Sequence, residues 1–417
     1  MALVPVHGGL AAPVDRILPW SRKNALLGEA QHLPKIAVSD ADLSLVYRIA
    51  DGTLSPLTGF MDEATFNRVL DHKNIQVQGK DYAWAIPMSL PVTEAEAAAL
   101  KLGQNAALVT ADGRTIGVIQ VSSIFAWDKQ RYVEKVYGTP RLDHPGAAIA
   151  TTDPRGTLVG GVISVLPALR HPEYGDLLLS PRQTRAMIED RKWEAALAFQ
   201  TRNPLHRAHE YALVYGVETL TERGAYAGVV LNPLVGQLKG DDVDASTRVR
   251  TYRQLRDRRL LGQGDSNRMV WDAVGYELND VFELVCLDMK MYYGGPSEAI
   301  MHSIYRQNHG FSHIVIGRKH ADAPYFDKSA IWGDFDAQEI FDKLPGELHT
   351  RPVKVGFAAW YDSVGRVDLN ERHKGEEPFS ISGTRLREML VSGQHPDARI
   401  IRPEIADILI ESYRSKQ

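Results

Sequence analysis

The sequence predicts an α/β protein in three parts: a β-rich first domain over residues 1–165, a layered domain with a parallel sheet over 166–345, and a small helical C-terminal part over 346–417. Three observations carry this reading. Short β-prone runs separated by turns fill residues 35–165, apolar runs alternating with amphipathic stretches follow, and from Ile381 the chain reads as helices broken at Pro396 and Pro403.

In the first part, Ala107 to Thr110, then Asp112-Gly113, then Thr115 to Val121 with apolar Ile116, Val118, Ile119 and Val121, has the pattern of a hairpin. A helix is expected around Met61 to Leu70, capped by Asp62 and packing through Phe66, Val69 and Leu70, and another over Glu94 to Leu100. The Asp-Pro and Gly-Gly pairs between Thr151 and Gly161 suggest the approach to a boundary. In the second part, Ala195 to Phe199, Gly228 to Leu231, Val281 to Cys286 and His313 to Ile316 are short apolar runs of buried-strand length, and the segments between them can hold crossover helices.

Composition bounds the function. With 417 residues there is material for more than one core, and a net charge of −4 argues against a coat for nucleic acid or for an anionic membrane. The basic run Arg253, Arg256, Arg258, Arg259 reads as a solvated helix face, and Trp193, Trp271, Trp332 and Trp360 as core. The single cysteine, Cys286, excludes an internal disulfide and a cysteine-based zinc site, and suits a reducing compartment. No export signal or spanning segment is read, so the cytoplasm is the expected location.

The most informative segment is AALAFQTRNPLHRAHE, Ala195 to Glu210. An apolar strand ends at Phe199, and Asn203-Pro204 has the form of an N-cap and first helical residue, so a helix is expected to begin where His206 and His209 fall on one face. A helix N-terminus directly after a strand offers N–H donors and a positive dipole end, the usual phosphate site of open α/β sheets. Zinc is the competing chemistry, but its helical signature is an i, i+4 pair with an intervening glutamate, which this segment lacks. Two other segments agree with phosphate binding. Gly317, Arg318, Lys319 and His320 follow the strand at His313, and Ser380 to Leu390 opens a helix with Ser382 or Thr384 as cap, although capping alone accounts for that serine.

QTRNPLHRAHE resembles the signature loop of the ATP sulfurylase family. HGGL (7–10), SPLTGFM (55–61), DHPG (143–146), NPLVG (232–236), DAQ (336–338) and SGTRLREML (382–390) follow in family order. The resemblance implies a PUA-like N-terminal domain, a Rossmann-like nucleotidyltransferase domain, a C-terminal subdomain completing the nucleotide site, and a homo-oligomer. No fused kinase is expected, since no G-x-x-x-x-G-K-[ST] loop occurs. It also implies transfer of the adenylyl group of MgATP to sulfate by in-line attack, with Mg2+ arriving on ATP and no metal ligands from the protein. By similarity Thr201, Arg202, Asn203, His206 and His209 would be catalytic, and Gln200, Arg202 and the main-chain N–H of Ala321 would bind the oxyanion. ATP would meet Gln200, Asn203, His206, His209, Asn232, Gly294, Gly317, Arg318, His320 and Ser382.

The chain departs from the family at charged positions. M-R-Y-A-G-P-R-E-A becomes Met291-Tyr292-Tyr293-Gly294-Gly295-Pro296-Ser297-Glu298-Ala299, G-R-D-H-A-G becomes Gly317-Arg318-Lys319-His320-Ala321-Asp322, and H-P-L-V-G begins at Asn232. Segment 323–334 also lacks the usual glycine-rich form. Charged hydrogen bonds contribute about 1.5 to 3 kcal/mol each, so two lost arginines bear directly on turnover. Three readings follow: a sulfate adenylyltransferase with compensating cations such as Lys319 or Lys239, an adenylyltransferase for a phosphonate, sulfonate or other oxyanion acceptor, or a catalytically weak binding paralogue.

Overall fold

Hydrophobic patterning in residues 35–165 is resolved, in a computed structural model describing residues 3–236 and 243–415, into a six-stranded sheet. Its order is Lys35–Val38, Asn105–Thr110, Thr115–Ala126, Thr157–Val165, Gly59–Phe60, with Leu90–Val92 also paired to Thr157–Val165. Asn105–Thr110 and Thr115–Ala126 form the hairpin, turning at Asp112-Gly113, where Gly113 has φ +84° and needs the freedom of glycine. Asp62 caps the helix Glu63–His72 by accepting from Thr65 N, and Thr93 with Glu96 forms a capping box on Glu94–Ala99.

The Gly-Gly pair read as near a boundary belongs to the last strand of the first sheet. Gly160 and Gly161 lie inside a strand, because a Cβ on Gly59 would sit 1.8 Å from the Gly161 carbonyl oxygen; glycines permit a close strand approach there rather than a break.

The second sheet has five parallel strands: β1 (Ala195–Thr201), β2 (Ala227–Pro233), β3 (Phe282–Leu284), β4 (His313–Ile316) and β5 (Arg351–Lys354), in the order 3-2-1-4-5. β1 runs two residues beyond Phe199, and β5 joins the sheet from beyond residue 345. The order reverses at β1, so a crevice opens beyond the carboxyl ends of β1 and β4. Registration of β1 on β2 depends on Gly228, which faces the buried Trp193 ring; an added Cβ would lie 1.9 Å from it. Gly228→Ala should therefore destabilise the fold by about 3 kcal/mol through overpacking. A denaturant midpoint equal to that of the wild type would refute this account of the glycine.

Two helices position the site: α1 (Arg207–Glu222), which follows β1, and α2 (Gly295–Asn308), which precedes β4. Every residue of α2 except Pro296 is buried. Its Ile300, Met301, Ile304 and Tyr305 join the core of the N-terminal domain, while Ala299 packs with Ile314 and Ile316 of β4. A helix buried all round is fixed against rotation and can hold polar groups in place. The last part of the chain packs Leu390, Ile401, Ile405, Leu409 and Ile410 into a small separate core, with Pro403 as the first residue of the helix Pro403–Arg414. No described helix is long and apolar enough to cross a membrane. Arg253, Arg256 and Arg259 are engaged with Asp176, Asp257, Glu277 and Asp280.

Candidate active site

At the β1/β4 crevice lies a cavity of about 200 Å³, lined by Phe199 to Asn203, His209, Leu234, Met291, Tyr293 and Lys319 to Asp322. Four segments distant in sequence thus meet where open parallel sheets bind ligands.

The connection from β1 to α1 differs from the expected helix start. Thr201 Oγ1 accepts from Asn203 N and donates to Asn203 O, and Tyr252 donates its hydroxyl to the same carbonyl. These bonds hold Asn203 in a turn, so Asn203 is not the cap and the helix begins at Arg207, with His206 as N-cap. Arg207 N donates to Ile400 O, so one of the free donors expected at this helix end is already used. The C-terminal part braces α1 from behind: Arg402 Nε lies 3.0 and 2.9 Å from the two carboxylate oxygens of buried Glu210.

The His206 and His209 rings stack 3.8 Å apart. Burial drives His206 down to about 3 and His209 to about 4, and for His206 the neighbouring ring adds to the effect. Both are neutral at pH 7 and act as single N–H donors or acceptors. His209 Nδ1 is buried without a partner. Arg202 lines the cavity with its charge unpaired among the described residues: its Nη1 is buried without a hydrogen-bond partner and its guanidinium lies 5.5 Å from the centre of the Tyr293 ring. A buried guanidinium nitrogen without an acceptor is costly unless a ligand supplies one.

The cavity holds Gln200, Thr201, Arg202, Asn203, His209, His320 and Ala321, and His206 abuts it through the ring stack. Other candidates lie outside its lining. Asn232 is buried and donates to Val285 O at 2.5 Å, Gly294 N donates to Glu298 Oε2, Arg318 pairs with Asp334 and stacks on Phe357, and Ser382 caps the helix Gly383–Val391. Gly317 follows β4 with open space where a Cβ would stand.

The departures from the family pattern also acquire places. Tyr292 is buried in the N-terminal core with its hydroxyl against Met88 Sδ, away from the cavity. Ser297 accepts from Lys73 Nζ at 2.9 Å, so a cation from the N-terminal domain reaches the start of α2. Lys319 lines the cavity with Nζ 3.6 Å from Asp334, and Lys239 lies outside the described residues. Among the described residues Asp322 is the only carboxylate in the lining; burial raises its pKa, and its Oδ1 has no hydrogen-bond partner. Among the described residues no group of three or more His, Cys, Asp or Glu could hold a metal.

Sequence reasoning missed two features. Tyr293, Lys319 and Ala321 have φ between 50° and 55°, a left-handed conformation rare outside glycine, and all three line the cavity. No residue pattern announces such strain. Under the floor, Glu298 and His302 are fully buried, with His302 Nε2 3.3 Å from Glu298 Oε1. A Glu and a His four apart on a buried helix would have been the signal.

Comparison with known proteins agrees with this architecture. A PUA-like domain model matches residues 4–168 and an ATP-sulfurylase model residues 175–412. The sulfate adenylyltransferase of Pyropia yezoensis is 52% identical over 99% of this chain and 97% of its own. That of Desulforamulus reducens is 34% identical over 100% of this chain and 99% of its own. The hexameric APS kinase from Thiobacillus denitrificans shares the fold, with a TM-score of 0.72 at 19% identity, over 98% of this chain and 68% of that one. Since the ATP-sulfurylase match spans more than half of the sequence, around a crevice built from the segments that suggested the resemblance, this chain belongs to the ATP sulfurylase family.

Proposed function

We propose that the protein is a sulfate adenylyltransferase, converting MgATP and sulfate to adenylyl sulfate and pyrophosphate. The observation that carries the reading is Arg202, whose buried Nη1 lacks a partner in a cavity at the switch point of the sheet, beside the stacked His206 and His209. A sulfate oxygen attacks the α-phosphorus as the bond to the bridging oxygen of the β-phosphate breaks, and pyrophosphate leaves with that electron pair. No proton need move, so the protein's task is to bring two anions together and stabilise charge on the transferring group. Arg202, the Gln200 amide and the Ala321 N–H hold sulfate. Thr201 and Asn203 contact the reacting phosphates, and the neutral His206 and His209 donate to phosphate oxygens. Asn232, Gly294, Gly317, Arg318, His320 and Ser382 are assigned to ATP by similarity; of these only His320 lines the cavity. Mg2+ enters bound to ATP, as the family resemblance implies.

The three parts at 1–165, 166–345 and 346–417 are then a PUA-like domain, a catalytic domain and a segment that lends β5 to the catalytic sheet and completes the site by bracing α1. The native form is a homo-oligomer, which sedimentation reads directly. The cytoplasm suits a single buried thiol whose pKa burial pushes up to about 12.

One observation favours a second reading. Asp322 sets a negative charge in an anion cavity and would suit an acceptor carrying a cationic substituent. Asp322→Asn should lower the KM for sulfate about three- to tenfold if sulfate is the acceptor, by removing a like charge in partly screened surroundings. An unchanged KM would refute that placement of the carboxylate. The test of function is pyrophosphate release from MgATP with sulfate, selenate, molybdate, phosphate, phosphonates and sulfonates as acceptors. Turnover with sulfate supports the proposal, turnover only with an organic acceptor supports the second reading, and nucleotide binding without turnover on any acceptor leaves a binding paralogue.

A further inference from the structure

The floor of the cavity rests on α2, where the buried side chains of Glu298 and His302 meet Gln200 and His320. Glu298 accepts from Tyr292 N at Oε1 and from Gly294 N at Oε2, both at 2.9 Å, and so fixes the turn carrying Met291 and Tyr293 to the cavity wall. His302 Nε2 lies 3.3 Å from Glu298 Oε1 and 3.5 Å from Gln200 Nε2, and His302 Nδ1 lies 2.9 Å from His320 Nε2. Burial keeps His302 and His320 neutral, so each ring carries one proton.

Hydrogen-bond bookkeeping then constrains the group above. Above its raised pKa of about 7 Glu298 is a carboxylate, and beside His302 Nε2 it then calls for the proton at that nitrogen, which leaves Nδ1 to accept from His320 Nε2–H. An Nε2–H cannot be satisfied by the NH2 of Gln200, whose own Oε1 is buried without a partner. Turning the nearly isosteric amide by half a turn removes both faults. Its oxygen accepts from His302 Nε2–H, whose nitrogen also lies 3.3 Å from Glu298 Oε1, and its NH2 takes the position of the orphaned oxygen on a residue that lines the cavity.

We propose that His302 is a positioning residue which, anchored by Glu298, holds the Gln200 amide with its NH2 turned toward the bound oxyanion. The inference rests on the assignment of Gln200 to oxyanion binding. It extends the site to a helix whose residues touch no substrate and gives a reason for a fully buried Glu–His pair on it. Without the Nε2–H the amide could present its oxygen to the anion as readily as its nitrogen, replacing an attraction by a repulsion.

The experiment compares His302→Phe, which removes the donor, with His302→Gln, which keeps one at similar reach. His302→Phe should raise both the KM for sulfate and the calorimetric Kd for sulfate at least tenfold while changing the KM for MgATP less than threefold; His302→Gln should recover most of the loss. The effect should vanish in a Gln200→Ala background, whereas a merely structural role would give additive losses. Where His302→Phe does not fold, His302→Asn, too short to reach Gln200, carries the same expectation. Unchanged sulfate affinity or additive losses would overturn the proposal. A wild type that turned over no sulfate would defeat the activity reading, yet its Kd for sulfate and that of each variant would still decide the role of His302.

Discussion

Arg202→Ala should lower kcat for sulfate-dependent pyrophosphate release by about 10²- to 10³-fold, the loss typical when one donor of an oxyanion site is removed. Stability should change little. The guanidinium has no carboxylate partner among the described residues, its Nη1 is unpaired, and its one aromatic contact is the Tyr293 ring at 5.5 Å. Removing it therefore strands no buried counter-charge, in contrast to breaking a buried ion pair. Arg202→Lys should recover only part of the rate, because an ammonium cannot present two parallel N–H groups to one oxyanion. Single-turnover kinetics on a variant shown by thermal melting to be folded would settle the matter. A loss below threefold would remove Arg202 from the site, and an equal loss of stability and rate would make it structural.

The second sheet could be read from the sequence because its strands are buried on both faces and therefore appear as uninterrupted apolar runs. Ala195 to Phe199, Gly228 to Leu231 and His313 to Ile316 all lie within observed strands. That Gly160-Gly161 lies inside a strand is not legible, because a glycine pair has the same appearance in a turn and in a close strand crossing; only the neighbour, the Gly59 strand, distinguishes them. Asn203-Pro204 misled in a similar way. The pair fits a helix start, but Thr201 and Tyr252 satisfy the Asn203 backbone first, and Tyr252 is 49 residues away. The same limit hid Glu298 and His302. The Tyr292 and Gly294 amides are local to Glu298, but the Gln200 amide and the His320 ring reach His302 only once β1 and β4 are side by side.

The same buried histidines predict a steep loss of stability in mild acid. His7, His302 and His309 are buried, and burial holds His7 near 4 and the other two well below their ordinary 6.5. His7 illustrates the cost: its Nε2 lies 3.0 Å from the Ala83 carbonyl, while a proton added at Nδ1 would find no acceptor. A base whose pKa is lower in the folded chain binds fewer protons there than when unfolded, so its contribution is intact above pH 6.5 and is lost as pH falls toward the folded value. Each such group costs about 1.4 kcal/mol per pH unit in that window. Glu298, raised by burial to about 7, works the other way between pH 7 and about 4.5 and offsets roughly one histidine. His206, His209 and His320, beside the cavity and also lowered by burial, add to the acid loss. The unfolding free energy should therefore fall by about 3 kcal/mol per pH unit between pH 6.5 and 5, a large share of the 5–15 kcal/mol typical of a domain. Urea unfolding at pH 7.5, 6.5, 5.5 and 5.0 measures the slope directly, and a flat or rising curve would mean that these rings are reached by water or paired with groups that accept their second proton.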